Sequence, residues 1–256
     1  MKGLLTVLGS GTSMGVPSIG CPCRVCRSED PHDKRTRPSI LLQYGGHDVV
    51  IDTSPDFRFQ ALRAGLSRLD AVIYTHSHAD HIFGLDDVRP FNIRQKGPVA
   101  IYGSRHTIER IRKVFDYIFD GSSPFGGIPQ VAVQVLDGPL RLFDATFTPV
   151  PVMHGYMEVW GYRFGNTAYL TDYGQIPESS FALLEGLDIV FLDGLRHEPH
   201  PTHCTVAQAL EHVERIRPRR AFLTHIAHDL SHQETNAALP ENVRLCYDGL
   251  QLEVEL

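Results

Sequence analysis

Three imidazoles and a carboxylate fall within six positions at His76-Ser77-His78-Ala79-Asp80-His81. Neutral imidazole and ionised carboxylate are donors that suit zinc, manganese or iron. The apolar run Ala71-Val72-Ile73-Tyr74 precedes them and predicts a buried strand, with the cluster in the loop beyond its carboxyl end. A strand supplies a stiff base, and a loop at its end can turn several side chains toward one point. Gathering so many polar groups beside a core strand is costly unless something pairs them, and one or two divalent cations would do so. A solvated histidine-rich loop is the plainer alternative. It suits a lone histidine better than this cluster.

The same arrangement, apolar run and then ligand-type residue, recurs three times. His154 follows Thr148–Met153, Asp172 follows Ala168–Thr171, and His225 follows Ala221–Thr224. Singly, a strand-ending Asp caps a turn and a strand-ending His makes one ordinary hydrogen bond; the repetition argues against coincidence. Three of the five cysteines stand in Cys21-Pro22-Cys23-Arg24-Val25-Cys26, while Cys204 and Cys246 are isolated. Clustered thiols in a reducing compartment point to metal and not to disulfides. Isolated cysteines read as small buried apolar residues. A further loop, Arg196-His197-Glu198-Pro199-His200-Pro201-Thr202-His203-Cys204, carries three histidines between prolines ahead of a helix. Imidazoles there are unlike core residues, and any of them titrates near neutrality and could protonate a departing alkoxide.

The elements that must position these groups alternate between strand-like and helix-like. A first strand is expected over Met1–Leu8, followed by the glycine-rich turn Gly9–Pro17, which lacks the Lys-Ser/Thr ending of a nucleotide loop. The polar stretch Arg24–Arg37 reads as a surface loop, and Ser39–Tyr44 with Asp48–Ile51 as a hairpin around Gly45-Gly46-His47. Helices are expected at Pro55–Gly65, at Ser104–Phe119 with Ser104 as N-cap, near Pro177–Leu184 and at Thr205–Ile216. The following helix start near Thr202 or His203 would favour an anion. Strands are expected at Val99–Tyr102, Val131–Val135, Leu140–Phe143, Phe147–Val152, Val159–Phe164, Ala168–Thr171, Asp188–Asp193 and Ala221–Thr224, with two more around Tyr247-Asp248-Gly249. The loop Gly121–Pro129 is a candidate lid. Many strands with helices between some of them predict two packed sheets with helices outside.

The 256 residues contain no linker, so one domain over 1–256 is expected, and 42% apolar residues allow a sizeable core. A formal net charge of −6 argues against a general nucleic-acid or anionic-membrane binder. No apolar run approaches the roughly 20 residues that span a bilayer. The opening apolar run is too short for a signal peptide, which predicts a cytoplasmic protein.

HxHxDH followed by His154, Asp172 and His225 resembles the metallo-β-lactamase superfamily through nearly the whole chain. The resemblance implies an αββα sandwich, two facing mixed sheets with helices outside and metals at one edge. It assigns His76, His78 and His154 to one divalent metal, and Asp80, His81 and His225 to a second, with Asp172 bridging. A hydroxide held between the two would be the nucleophile. The segment from Gly9 through Gly20-Cys21-Pro22-Cys23, with Thr224-His225-Ile226-Ala227-His228, is similar to the cyclic phosphodiesterases of the carbon–phosphorus lyase pathway. That likeness implies a structural zinc on Cys21, Cys23, Cys26 and His228 in a small loop at about 20–37, since tetrahedral zinc needs four donors. It leans toward manganese over zinc for the catalytic pair. It also places His203 where those enzymes aim a histidine at the substrate phosphate, as general acid. His200 or His197 remains an alternative, and proton transfer by Asp80 is secondary to its ligand role. The implied function is hydrolysis of a small, cyclic or open, phosphodiester. Relatives of this kind are often homodimers.

Three other readings stand beside it. An RNA-processing nuclease of the superfamily would need a protruding arm for tRNA, and no insertion of that kind is visible. A relative from quinone-cofactor biosynthesis has a similar cysteine cluster and resembles an iron- and oxygen-dependent enzyme. A non-catalytic binding protein on the same scaffold would not need a complete ligand set.

Overall fold

The computed structural model describes residues 1–121 and 127–256. The proposed lid over Gly121–Pro129 falls largely on residues 122–126, outside the described residues. Among the described residues, two seven-stranded sheets carry the fold. The first holds β1 (Lys2–Gly9), β2 (Ser39–Tyr44), β3 (His47–Ile51), β4 (Ala71–Ile73), β5 (Val99–Ser104), β6 (Val131–Leu136) and the last strand, β14 (Gln251–Glu255). The second holds β7 (Leu140–Leu142), β8 (Ala145–His154), β9 (Met157–Phe164), β10 (Thr167–Tyr169), β11 (Ile189–Asp193), β12 (Arg220–Thr224) and β13 (Val243–Leu245). Their orders are β14-β1-β2-β3-β4-β5-β6 and β13-β12-β11-β10-β9-β8-β7. Both are mixed: β3 to β6 and β10 to β13 run parallel, and the other pairings are antiparallel. This is the αββα sandwich that the resemblance to the metallo-β-lactamase superfamily implies.

The apolar strands of the first sheet are buried on both faces, which is why they read as continuous runs. Successive side chains point to opposite faces. Ile40, Leu42, Val49, Ile51, Ala71 and Ile73 therefore enter the core between the sheets. Leu41, Val50 and Val72 enter a second core beneath α2 (Phe57–Arg63), α4 (Arg89–Gln95) and α5 (Arg105–Val114). Two tyrosines tie the layers together: Tyr44 Oη donates to Leu142 O at 3.0 Å, and Tyr162 Oη to Tyr74 O at 3.0 Å.

Of four details, two differ from the sequence expectation and two complete it. The helix expected over Ser104–Phe119 breaks at Phe115, whose ψ of 44° ends α5 before the short α6 (Asp116–Phe119). The two expected strands flanking Asp248 are β13 and β14, in different sheets, and the Asp248 carboxylate between them accepts from Ser10 and Thr36. The helix after the histidine loop, α8 (Val206–Ile216), is capped by Thr205 and Gln208 in a capping box, with Thr202 and His203 just ahead of that cap. Arg24–Arg37 is not an exposed loop: it contains α1 (Arg24–Arg27) and a 3-10 turn at Pro31–Asp33. Arg35 within it is only 1% exposed. Its guanidinium donates to Ala227 O and Leu230 O at 3.0 and 2.7 Å and pairs with Asp33 at 2.8 Å. A basic side chain can be buried where every donor is satisfied, and a sequence does not display those partners. The glycine turn packs here too: a Cβ on Gly11 would lie 2.8 Å from Arg35 O, so this glycine serves close packing.

Candidate metal centre

The candidate ligands converge at the carboxyl ends of β4, β8, β10 and β12. HxHxDH leaves β4 through Thr75 and enters α3 (Ala79–Ile82), so one helical turn presents Asp80 and His81 inward. Asp172 Oδ1 lies 2.8 Å from His225 Nε2, and Asp172 Oδ2 lies 3.4 and 3.3 Å from His76 Nε2 and His81 Nε2. Asp80 Oδ2 is 3.2 Å from His81 Nε2 and 3.5 Å from His225 Nε2. Two of the donor groups here are Asp80/His81/Asp172/His225 and His76/His78/Asp172, with Asp172 common to both, and a third, Asp172/Asp193/His203/His225, overlaps the first. His154 adjoins the second, its ring centroid 5.0 Å from that of His78 and 5.9 Å from that of His76. Asp172 and His225 both hold left-handed backbone, with φ of 53° and 58°. Such conformations in non-glycine residues cost free energy and concentrate at functional sites.

Burial and hydrogen bonding test whether a cation fits. His76 Nε2, His81 Nε2, His225 Nε2 and Asp80 Oδ2 are buried without a hydrogen-bond partner. Four such atoms facing one another would be a liability in a finished core, and they are the donor set a divalent metal requires. Two of the histidines are held through the opposite ring nitrogen, whereas His225 Nδ1 is itself buried without a partner. His81 Nδ1 donates to Asp52 Oδ2 at 2.7 Å, and His154 Nδ1 donates to Thr202 O at 3.1 Å, which leaves each Nε2 as the free donor.

Asp52, which sequence reasoning missed, anchors this arrangement. It is fully buried at the end of β3 with φ of 66°, and its carboxylate also accepts from Thr75 N and Oγ1 at 2.8 and 2.7 Å. Its signal was available, since it repeats the pattern of an acidic residue ending an apolar strand. Asp193, at the end of β11, was missed in the same way. Its Oδ2 accepts from His203 Nδ1 at 2.7 Å and from Tyr173 N at 3.2 Å. His203 stands among the ligands, 4.7 Å by ring centroid from both His154 and His225. His200 is 4.9 Å from His203, but its Nδ1 accepts from Thr202 N at 3.3 Å within the loop. His197 is exposed.

Without a cation the site is a knot of buried opposite charges. Burial alone would depress His225, but Asp172 and Asp80 override it and lift it to about 10. Burial likewise opposes charge on Asp172, yet His225 and His81 hold it well below the usual carboxylate range. The stability consequence has a definite sign. A histidine at about 10 in the fold and at ~6.5 unfolded stabilises fully below ~6.5 and loses that contribution as pH rises through about 10. The depressed carboxylates contribute above ~3.9 and lose it as pH falls through their folded values. Metal-free protein should therefore lose thermal stability from neutrality toward pH ~10. A metal-loaded protein, which needs neutral imidazoles, should lack that alkaline loss, and paired melting curves across pH check it.

On the far side of residues 225–228 lies the second cluster. Cys21 Sγ and Cys23 Sγ approach His228 Nδ1 at 3.6 and 3.4 Å, and all four donors of Cys21, Cys23, Cys26 and His228 lie within 4.8 Å of one another. A zinc tetrahedron with bonds of ~2.3 Å to sulfur and ~2.0 Å to nitrogen has edges of roughly 3.5–3.8 Å, so these residues fit it. The Cys26 amide, His228 and Cys21 draw Cys23 down to about 6, whereas burial pushes Cys26 up to about 11. Cys204 and Cys246 are buried, as isolated cysteines should be.

The chain matches the model of the Beta-lactamase superfamily domain over residues 47–226. It is similar to a solved diphosphatase of the PhnP family, with a TM-score of 0.94, 52% identity, and coverage of 100% of this chain and 98% of that one. A curated octanoyltransferase of Porphyromonas gingivalis is 41% identical over 97% of this chain and 51% of its own length. A ribonuclease Z of a Bradyrhizobium species is 30% identical over 62% of this chain and 49% of its own. The chain thus spans about half the length of these curated relatives. Among the described residues no helix is long and apolar enough to cross a membrane.

Proposed function

The chain belongs to the beta-lactamase superfamily, and from that premise we propose that it is a dinuclear metal-dependent phosphodiesterase acting on a small phosphodiester. The observation that carries this reading is Asp172, set between two groups of imidazole and carboxylate donors, among which His76 Nε2, His81 Nε2, His225 Nε2 and Asp80 Oδ2 are buried without a hydrogen-bond partner. His76, His78 and His154 would hold one metal, Asp80, His81 and His225 the other, and Asp172 both. Cys21, Cys23, Cys26 and His228 would hold a structural zinc. A metal pair of this kind lowers the pKa of water and balances charge on both attacking and leaving oxygens.

The protein's own residues supply the rest. Asp52 holds His81 in one tautomer, and Thr202 O does the same for His154. Asp193 fixes His203 through Nδ1, so its Nε2 is free to carry a proton to the leaving oxygen. That anchoring favours His203 over His200, whose Nδ1 is engaged inside its own loop. The PhnP-family relative, described as a diphosphatase, supports chemistry at phosphorus.

Metal analysis paired with hydrolysis of bis(p-nitrophenyl) phosphate and a cyclic nucleotide tests the reading. One zinc should survive mild chelation while activity disappears, and manganese should restore it. His203→Ala should lower kcat by about a hundred- to ten-thousandfold with metal content unchanged. Tightly held iron with no diester cleavage under any metal would overturn the proposal and favour an oxygen-using enzyme.

A further inference from the structure

We infer that Arg35 is a positioning residue for both metal clusters: by holding the backbone of residues 227–230 it makes the cysteine cluster and the dinuclear site bind their metals cooperatively. The inference rests on the phosphodiesterase reading above and adds a coupling between its two kinds of site.

His225 and His228 are separated by two residues. A three-residue step spans at most about 11 Å, so a backbone shift at either histidine is felt at the other. His225 Nε2 faces Asp172 and Asp80 at 2.8 and 3.5 Å, whereas His228 Nδ1 faces Cys23 and Cys21 at 3.4 and 3.6 Å. The glycine turn fixes the segment between them: Ile226 N donates to Ser10 O at 2.9 Å, and Thr12 N donates to Ile226 O at 3.1 Å. His225 holds its left-handed backbone, with φ of 58°, a conformation that persists only where the surroundings impose it.

Arg35 supplies the remaining hold. Its Nη1 donates to Ala227 O at 3.0 Å and its Nη2 to Leu230 O at 2.7 Å, so the two bonds flank His228 in the chain. The same Nη2 donates to Asp33 Oδ1 at 2.8 Å, and Nε donates to His32 O at 3.1 Å. Asp33 Oδ1 in turn accepts from His232 N at 2.8 Å. The arginine backbone pairs with Val16 in both directions, at 2.7 and 2.8 Å, and Val16 packs on Val25 and Cys26. Lys34 Nζ, beside it in the chain, donates to Cys26 O at 3.3 Å. One side chain therefore joins the stretch that carries the thiols to the stretch that carries both histidines. A planar fork of five donors can meet two carbonyls and a carboxylate at once, which a lysine cannot. A metal at either cluster orders this shared backbone, and a second metal then binds to a segment already in place. Such coupling is reciprocal by necessity.

Manganese binding to the zinc-loaded protein, measured by calorimetry, tests the coupling in wild type, in Arg35→Lys and in the double variant Arg35→Met/Asp33→Asn. The double variant removes both buried charges, so neither is left unpaired. Zinc should stay at one per chain while manganese affinity falls about five- to a hundredfold in both variants. The manganese needed for half-maximal diester hydrolysis should rise by the same factor, with a smaller change in kcat. Release of zinc by p-hydroxymercuribenzoate should be slowed by saturating manganese in the wild type and be independent of manganese in the variants. A lower melting temperature with unchanged manganese affinity would make Arg35 a structural residue only and overturn the inference. So would zinc release that ignores manganese in the wild type while diester hydrolysis persisted. A wild type that binds no manganese and cleaves no diester would overturn the phosphodiesterase reading itself, and the coupling with it.

Discussion

Asp172→Asn is expected to reduce kcat for phosphodiester hydrolysis by roughly a hundred- to a thousandfold or more, the scale on which a single oriented charge-stabilising group matters in a dry site. Asp172 is the one residue common to both donor groups, and its two oxygens face different histidines. An amide keeps the shape but removes the anion, so each group loses a donor together. In the proposed dinuclear site metal content should fall from two ions toward one or none, with the zinc proposed for the cysteine cluster retained. The metal-free variant should also melt lower than metal-free wild type. His225 and His81 are held protonated chiefly by this carboxylate, against the effect of burial. A variant with wild-type kcat and full metal content would show that the two groups do not share a bridge.

The second large effect belongs to the cysteine cluster. Cys26→Ser should release the tight zinc and cost several kcal/mol, a fraction of the ~10–16 kcal/mol that structural zinc supplies in small folds. For a chain of this size that corresponds to a melting temperature lower by on the order of 10 °C. The cluster is tied to the body of the fold. His228 ends the segment begun by His225, Ile226 N donates to Ser10 O at 2.9 Å, and Arg35 clamps Ala227 O and Leu230 O. Some loss of catalytic metal affinity should therefore follow, because the same four-residue segment carries a ligand of each site. Zinc analysis and melting curves on the purified variant decide it. An unchanged melting temperature with no zinc in the wild type would reduce the cluster to three reduced thiols.

Much of this was legible in the chain because local spacing carried it. HxHxDH concentrates donors within six residues of a loop and the helical turn after it, and the CxCxxC spacing does the same for thiols. The strands announced themselves as apolar runs, since sheets covered on both faces need apolar residues at every position. The strand-ending His154, Asp172 and His225 were visible through the same pattern repeated. The helix cap at Ser104 was readable too, and its Oγ accepts from Thr107 N at 3.2 Å.

Other features were decided only in three dimensions. Asp52 and Asp193 each look like ordinary strand ends. What separates them from a turn cap is a histidine 29 or 10 residues away, delivered by the sandwich. Arg35 read as a solvated charge because its partners, the carbonyls of Ala227 and Leu230, lie 192 and 195 residues downstream. Which of three loop histidines faces the centre depended on where Asp193 stood. The sequence by itself determined the kind of chemistry available, since donor types and strand periodicity are local properties. Tertiary structure decided which atoms are free to bind and which are held, because hydrogen-bond partners are long-range and burial is a property of the packed whole.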